Sequence, residues 1–393
     1  MAIKRKGRRK RTRITSKGLF IVFIFIGCII VSGIFFNYLY HSIPATLSPL
    51  YEESSATSSN LNQKINKIDH AIYESLYKGK VGGKNIFFSE VQPCITRDYE
   101  WDFTELSIKL ADKASAIGLK KVIDSELSKF QQDVIITLED ISGREIDFNI
   151  YTLGLYTHKI KLVYKDYREK IYKDLPKIAI VIDDIGNDYD IAASFMDIDL
   201  PITLSVLPSS PYGKDIAGKA RQKGFEVILH LPMEPKKYPD SDPGTDALLT
   251  GMDEDKIKAI IAKDLKKVPG VSGVNNHMGS YFTEREDKMT YVLRELKKRD
   301  LFFLDSRTTS KTIGFQLAGK MGVPSAQKSV FLDNDLSSNG VKHQIERLLG
   351  IARYSGEAVG IGHPHEMTLH ILREYSSVLK RDFKVVPVSC LVK

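Results

Sequence analysis

Two adjacent carboxylates, Asp183 and Asp184, close the run of Ile, Ala and Val at 178–182 in the segment KIAIVIDDIGND. An unbroken apolar run that ends in polar residues and a glycine reads as a strand buried on both faces. Neighbouring side chains on a strand point to opposite sides, so one carboxylate can bind a metal ion while the other handles a proton. The same residues also read as a strand end followed by an Asx turn and a helix cap. Histidines stand in equivalent places. His230 follows the run 225–229, His277 follows Asn275 and Asn276 after 271–274, and His363 and His365 follow 358–361. Carboxylates and imidazoles suit hydrolysis, which needs an activated water, a stabilised oxyanion and an acid for the leaving group.

These residues need a scaffold that gathers strand ends. Further apolar runs cover 202–207, 301–304 (ending at Asp305, with Arg307 beyond), 330–332 (ending at Asp333 and Asn334) and 385–391. Segments of helical length, such as 253–267 and 284–299, lie between several of them. Strand and helix alternate about eight times, which predicts a parallel barrel or an open α/β sheet. Such folds build their sites at the C-terminal ends of the strands, where four of the nine histidines fall.

The motifs GFEVILH (224–230), HLPMEP (230–235), NNHMGS (275–280), LDSRTT (304–309), FLDN (331–334) and GHPH (362–365), with the Asp183–Asp184 pair, resemble the divergent polysaccharide deacetylase family in order and type. The resemblance runs from about residue 177 to the C-terminus. It implies an incomplete (β/α) barrel, a metal-binding histidine at His230, and hydrolysis of acetyl groups on glycans. Two motifs depart from the usual pattern. Glu234 stands where a second histidine, four after the first, is usual, and it is flanked by Pro232 and Pro235. VNNHMGS replaces the usual Arg-Pro-Pro-Tyr, so His277 can supply the missing imidazole from the next strand.

On this reading Asp184, His230 and His277 form a metal set with open positions, which suits zinc best and would accept other first-row ions. Asp183 is the candidate base and His363 the candidate acid. Asp305 and Arg307 are expected to pair and orient these groups, or to form a plain salt bridge. Glu234 is either a ligand, a second-layer residue or a brace for the loop 232–250. Asn275 and Asn276 either contact substrate and ligands or satisfy a turn, and His365 is either a site or a surface residue. Asp333 and Asn334 are read as closing a strand.

The N-terminal part has a different character. Nine of the 57 basic residues lie within 1–18, with no acid among them; the rest of the chain, with 49 acids, is therefore close to neutral. The net charge of +8 belongs to this tail and gives no reason to expect nucleic-acid binding. An uncharged stretch at 19–36 follows, long enough with its neighbours to span a bilayer, and 19–38 is expected to be an uncleaved signal anchor. The tail 1–18 is then cytoplasmic, and the bulk of the chain periplasmic or extracellular. Residues 39–80 read as a linker with a short amphipathic helix at 61–77.

A small α+β unit of unknown role is expected at 81–172, with a helix at 104–129 and strands at 134–138, 145–151 and 158–164. Tyr99, Trp101 and Phe103 there read as core or as a sugar-stacking patch. The deacetylase-like unit covers 175–393. Cys28, Cys94 and Cys390 form no metal motif. Two functions fit: an anchored metal-dependent deacetylase of peptidoglycan or another envelope polysaccharide, and a catalytically weak glycan-binding or scaffold protein on the same fold. The partners expected on this reading are the envelope polysaccharide and, through 19–38, the membrane.

Overall fold

The computed structural model describes residues 56–96, 99–130, 133–141, 143–165 and 174–393. The expected basic tail, the membrane anchor and the linker up to residue 55 lie outside them. Among the described residues no helix is long and apolar enough to cross a membrane.

The first described element is helix α1 (Ala56–Lys78). Leu61, Ile65, Ile68, Ile72 and Leu76 recur every three or four residues and are buried, so one stripe of α1 faces the core. Five strands follow: β1 (Ile86–Ile95), β2 (Glu100–Lys109), β3 (Val134–Ile141), β4 (Glu145–Thr152) and β5 (Leu155–Val163), in the sheet order β1-β2-β5-β4-β3. Helix α2 (Lys113–Leu127) joins α1 on one face of this sheet, over Leu106, Ile108, Phe148 and Ile150.

Two expectations change here. The helix expected from residue 104 begins only at Lys113, where the Asp112 side chain accepts from the Ser115 amide. Residues 104–109 are strand instead, because Leu106 and Ile108 alternate onto the core face with a period of two. The helix placed with the linker is longer than expected and shares the core of the small sheet.

The larger unit alternates strands and helices: β6 (Lys177–Ile185), α3 (Tyr189–Met196), β7 (Thr203–Val206), α4 (Gly213–Gln222), β8 (Glu226–Met233), α5 (Glu254–Lys267), β9 (Gly273–Met278), α6 (Glu286–Lys297), β10 (Phe302–Asp305), α7 (Gly314–Met321), β11 (Ser325–Gln327), β12 (Val330–Phe331), α8 (Ser338–Ser355), β13 (Glu357–Gly362), α9 (Glu366–Asp382) and β14 (Lys384–Val385). The strands are parallel, in the order β11-β10-β9-β8-β7-β6-β13-β12, with β14 beside the start of β6. The two outer strands of the row, β11 and β12, are consecutive in sequence. The sheet therefore curls until its ends are a two-residue link apart, and β11 and β12 do not pair. This is an incomplete parallel α/β barrel.

The core has two layers. Ala179, Val181, Ile228, Phe302, Leu304, Phe331, Val359 and Ile361 fill the inside, together with Val386, Val388 and Leu391 from the C-terminal segment. Ile178, Ile180, Ile182, Leu204, Leu229, Val274 and Phe303 face the helices. The run expected as a last strand at 385–391 is thus mostly a plug: the short strand Lys384–Val385 pairs with β6, and Val388–Leu391 is a 3₁₀ turn.

The small sheet and the barrel are in contact. Phe88 packs against Gly350 of α8, and the Arg347 guanidinium donates to Thr104 Oγ1 at 3.2 Å. His70 of α1 approaches Asp335 at 3.4 Å, and Tyr73 stacks on His343.

Candidate metal centre and active site

Counting by twos along each strand from its inward apolar residues leads to the barrel mouth. Ala179 and Val181 lead to Asp183, Thr203 to Ser205, and Ile228 to His230. Phe302 and Leu304 lead to Ser306, Phe331 to Asp333, and Val359 and Ile361 to His363. On β9 the outward Val274 puts Asn275 and His277 on the inner side.

By the same count Asp184 would face the helices, and the sequence expectation was that the two carboxylates diverge. They do not. Between the pairs Ile182–Leu204 and Ile185–Val206 two residues of β6 oppose the single Ser205 of β7. Asp184 takes φ +54° in this bulge, which turns its carboxylate inward beside Asp183. Gly186 completes the bend at φ +135°, where a Cβ would lie 1.9 Å from Ser210 Oγ.

Three atoms then meet. Asp184 Oδ1 lies 3.1 Å from His230 Nε2 and 3.0 Å from His277 Nδ1, and the two nitrogens are 3.1 Å apart. Asp184 and His230 are buried, and His277 is nearly so. Burial alone would raise the Asp184 carboxyl; the His277 and His230 imidazoles overcome this and hold it well below its ordinary value.

The tautomer of His230 follows from its partners. Asn275 Nδ2 lies 2.9 and 3.0 Å from the two Asp183 oxygens, which accept, so this end of the amide is the NH₂ group. Its Oδ1 therefore faces Ser205 Oγ–H at 2.6 Å and His230 Nδ1 at 2.9 Å. Nδ1 must carry the hydrogen, which leaves a lone pair on Nε2.

Two imidazole nitrogens and a carboxylate oxygen thus crowd one point. Neither Asp184 oxygen has a hydrogen bond of good geometry. Such an arrangement fits a cation. Three donors gathered on one side of a point would hold such an ion and leave further positions on it open to water and substrate.

A second pair stands on the neighbouring strands. His363 directly follows Gly362, the register partner of Ile182, so it lies across from Asp183. Asp333 accepts the His363 amide at 2.6 Å and Nδ1–H at 2.8 Å, and it also accepts Thr368 Oγ–H at 2.7 Å. Burial would lower the His363 imidazole, but the Asp333 carboxylate raises it to about 10, with smaller help from Asp184 and Asp183. Asp333 had been read as closing a strand, yet it is the partner that keeps His363 charged. His365 lies at the start of α9, its ring 6.3 Å from that of His363.

Other expected residues play different parts. Asp305 follows inward Leu304 and so faces outward. Its carboxylate accepts the Arg307 amide at 2.9 Å, Thr312 Oγ–H at 2.8 Å and the Phe315 amide at 2.9 Å. The expected side-chain pair with Arg307 does not form; Asp305 braces the β10–α7 loop. Asn276 also faces outward, bonding the Ser306 amide and the Met278 carbonyl. Glu234 accepts the Thr250 amide and braces the loop, away from the three-atom cluster.

Sequence reasoning missed Ser205 and Ser306, the latter accepting from Asn275 Nδ2 at 3.1 Å. The two-residue count along β7 and β10 would have found both. Met278 at φ +50° and Arg307 at φ +47° join Asp184 as left-handed non-glycine residues, all at strand ends around the site.

The exposed large apolar side chains from Lys177 onward are Tyr212, Tyr238, Tyr281 and Leu336. Each lies on a loop after a strand, those following β7, β8, β9 and β12, so all rim the same mouth.

Comparison with known proteins agrees with this geometry. The description of the divergent polysaccharide deacetylase family matches residues 180–392. The chain is 35% identical over 216 residues to the uncharacterized protein YibQ of Escherichia coli K12, covering 55% of this chain and 67% of that protein. It is 32% identical over 210 residues to an uncharacterized protein of Haemophilus influenzae, covering 53% of this chain and 74% of that one. A crystal structure of an uncharacterized protein from Agrobacterium tumefaciens C58 superposes with a TM-score of 0.54 at 26% identity, over 57% of this chain and 93% of that one.

Proposed function

The chain belongs to the divergent polysaccharide deacetylase family, and from that premise we propose that its barrel hydrolyses acetyl groups on an envelope glycan such as peptidoglycan. The observation that carries the reading is the convergence of Asp184, His230 and His277 from three strands, with the free nitrogen of His230 fixed by Asn275.

These three residues would hold a divalent ion, for which zinc is the first candidate. When bound, such an ion acidifies a water and stabilises the oxyanion. Asp183, held by the Asn275 NH₂, stands beside the cluster, 3.7 Å from His230 Nε2, and serves as base for the attacking water. His363 keeps Nδ1–H on Asp333 and gives its other proton to the leaving nitrogen or oxygen. Water adds to the acetyl carbonyl, the C–N or C–O bond breaks, and acetate and the free amine or hydroxyl leave. The exposed rim tyrosines Tyr212, Tyr238 and Tyr281 supply aromatic surface for sugar rings beyond the catalytic centre.

The basic block before the uncharged stretch supports retention in the cytoplasmic membrane by residues 19–38, with the barrel on the outer side. Acetate release from peptidoglycan and from N-acetylglucosamine oligomers by the metal-loaded chain tests the activity, with Asp183→Asn as control. Release from neither substrate, at full metal occupancy, would leave the glycan-binding or scaffold role.

A further inference from the structure

The small sheet has a second face, turned away from α1 and α2. Ile146, Phe148 and Ile150 point into the helix-covered core, so Asp147, Asn149 and Tyr151 point the other way. Register carries one row across this face. Ile135 pairs with Tyr151, and Tyr151 with Tyr156. The rings of Tyr151 and Tyr156 stack at 5.0 Å, and Phe103 lies 4.8 Å from Tyr156. Ile135 is 61% exposed, while Tyr151 and Tyr156 are half-buried and Phe103 is buried beneath them.

From this row we infer that the second face of the small sheet is a glycan-binding platform that continues the substrate path of the barrel. The occupant is a neutral N-acetylated sugar chain. Four observations select it.

The stacked tyrosine pair and the exposed Ile135 beside it make a continuous apolar row, which suits the apolar C–H faces of pyranose rings. The charges next to the rings cancel in pairs, Lys159 with Asp147 at 2.8 Å and Lys161 with Glu105 at 2.8 Å, so nothing here favours a polyanion. Asn149 accepts the Tyr156 hydroxyl at 2.7 Å and adds an amide for sugar hydroxyls.

The fourth observation is continuity with the catalytic mouth. β2, the strand that carries Phe103, starts at the barrel mouth: Glu100, its first residue, accepts the Ser310 amide of the β10–α7 loop at 2.6 Å. Lys236 of the barrel, paired with Glu284 at 2.8 Å, also comes within 4.0 Å of Glu100. Trp101, which had been a candidate for stacking, instead packs with Leu61 and Ile65, and its Nε1–H donates to the Tyr156 carbonyl at 3.0 Å. It fixes the platform from below.

The identity of the occupant rests on the deacetylase reading; the existence of the platform does not. The test is calorimetric titration of the full-length chain with N-acetylglucosamine hexamer. The pair Tyr151→Ala with Tyr156→Ala is expected to weaken binding at least tenfold, and Tyr151→Phe with Tyr156→Phe to keep it within about threefold. His230→Ala should still bind the hexamer, because the platform lies outside the barrel. Thermal melts check folding, and Tyr151→Leu with Tyr156→Leu replaces the alanine pair if that pair unfolds. Wild-type affinity in the ring-less variants, or absence of hexamer binding by the wild type, overturns the proposal. Tyrosine-dependent binding without acetate release from any glycan would sink the deacetylase reading and leave the platform standing.

Discussion

Asn275 Oδ1 lies 2.9 Å from His230 Nδ1, and this contact decides which imidazole nitrogen is free for a metal ion. The asparagine holds that orientation because its other end is tied to Asp183. Base candidate and ligand are thus set by one amide. Asn275→Leu should weaken metal binding about 10–100-fold while the barrel still folds. Competition against a chelator of known affinity measures this; unchanged affinity would remove Asn275 from the orienting role.

His277 and Glu234 should part company. His277 Nδ1 is 3.0 Å from Asp184 Oδ1, whereas Glu234 is engaged with the Thr250 amide. His277→Ala is expected to abolish stoichiometric metal. Glu234→Gln should keep it and lose only about 1 kcal/mol of stability through the loop contact. Elemental analysis and denaturant melts of the two variants read both effects, and an empty site in Glu234→Gln with a full one in His277→Ala reverses the assignment.

Asp333→Asn should move the alkaline limb of the pH–rate profile. His363 must be protonated to act as acid, and in the wild type it stays so up to about 10 because of the Asp333 carboxylate. Activity is therefore expected to fall as pH rises through that value. Without the carboxylate the limb should drop by at least one pH unit, with a similar shift of the His363 proton resonances. The same pair stabilises the fold fully below the ordinary histidine value, and the contribution is lost as pH rises toward 10. An unmoved limb in Asp333→Asn would take His363 out of the acid role.

A separate histidine weakens the fold in acid. Burial, with the nearby His70, lowers His343 to about 4. The unfolded chain takes up the proton first, at about 6.5, so stability should decline as pH falls from there toward 4. The loss is on the order of 1–2 kcal/mol once partial exposure is allowed for. His343→Gln should flatten this slope relative to wild type in denaturant melts at pH 7 and pH 4.5, and parallel slopes would contradict the assignment.

Much of this architecture can be read from residue order. The apolar runs closing at Asp183, His230, Asn275, Asp305, Asp333 and His363 mark strand ends, and they do lie on one face of a parallel barrel. β11 escaped notice because Ser325, Ala326 and Gln327 form no apolar run; only its neighbours make it a strand. The helix expected at 104–129 swallowed half of β2, since Leu106 and Ile108 fit a helical spacing as well as an alternating one.

At the site, strict alternation separates Ser306 from Asp305 and Asn275 from Asn276, so those roles were within reach. It fails at Asp184, whose direction depends on a bulge set by the pairing of β6 with β7. That is a property of two strands together, and no local stretch of residues encodes it. Asp333 illustrates a different gap: its importance lies in His363, thirty positions away in the chain.

The left-handed backbone at Asp184, Met278 and Arg307 bears on how this protein can change. Positions of this kind cost on the order of 1–3 kcal/mol each. A selection for heat resistance, natural or in the laboratory, would find them early, because glycine or asparagine relaxes them without touching the hydrophobic layers. Each relaxation would also loosen a strand end on which the site is mounted. On the proposed function, thermal hardening and turnover are therefore opposed at these three positions, and improvement of the one without the other has to come from the helices and the small sheet.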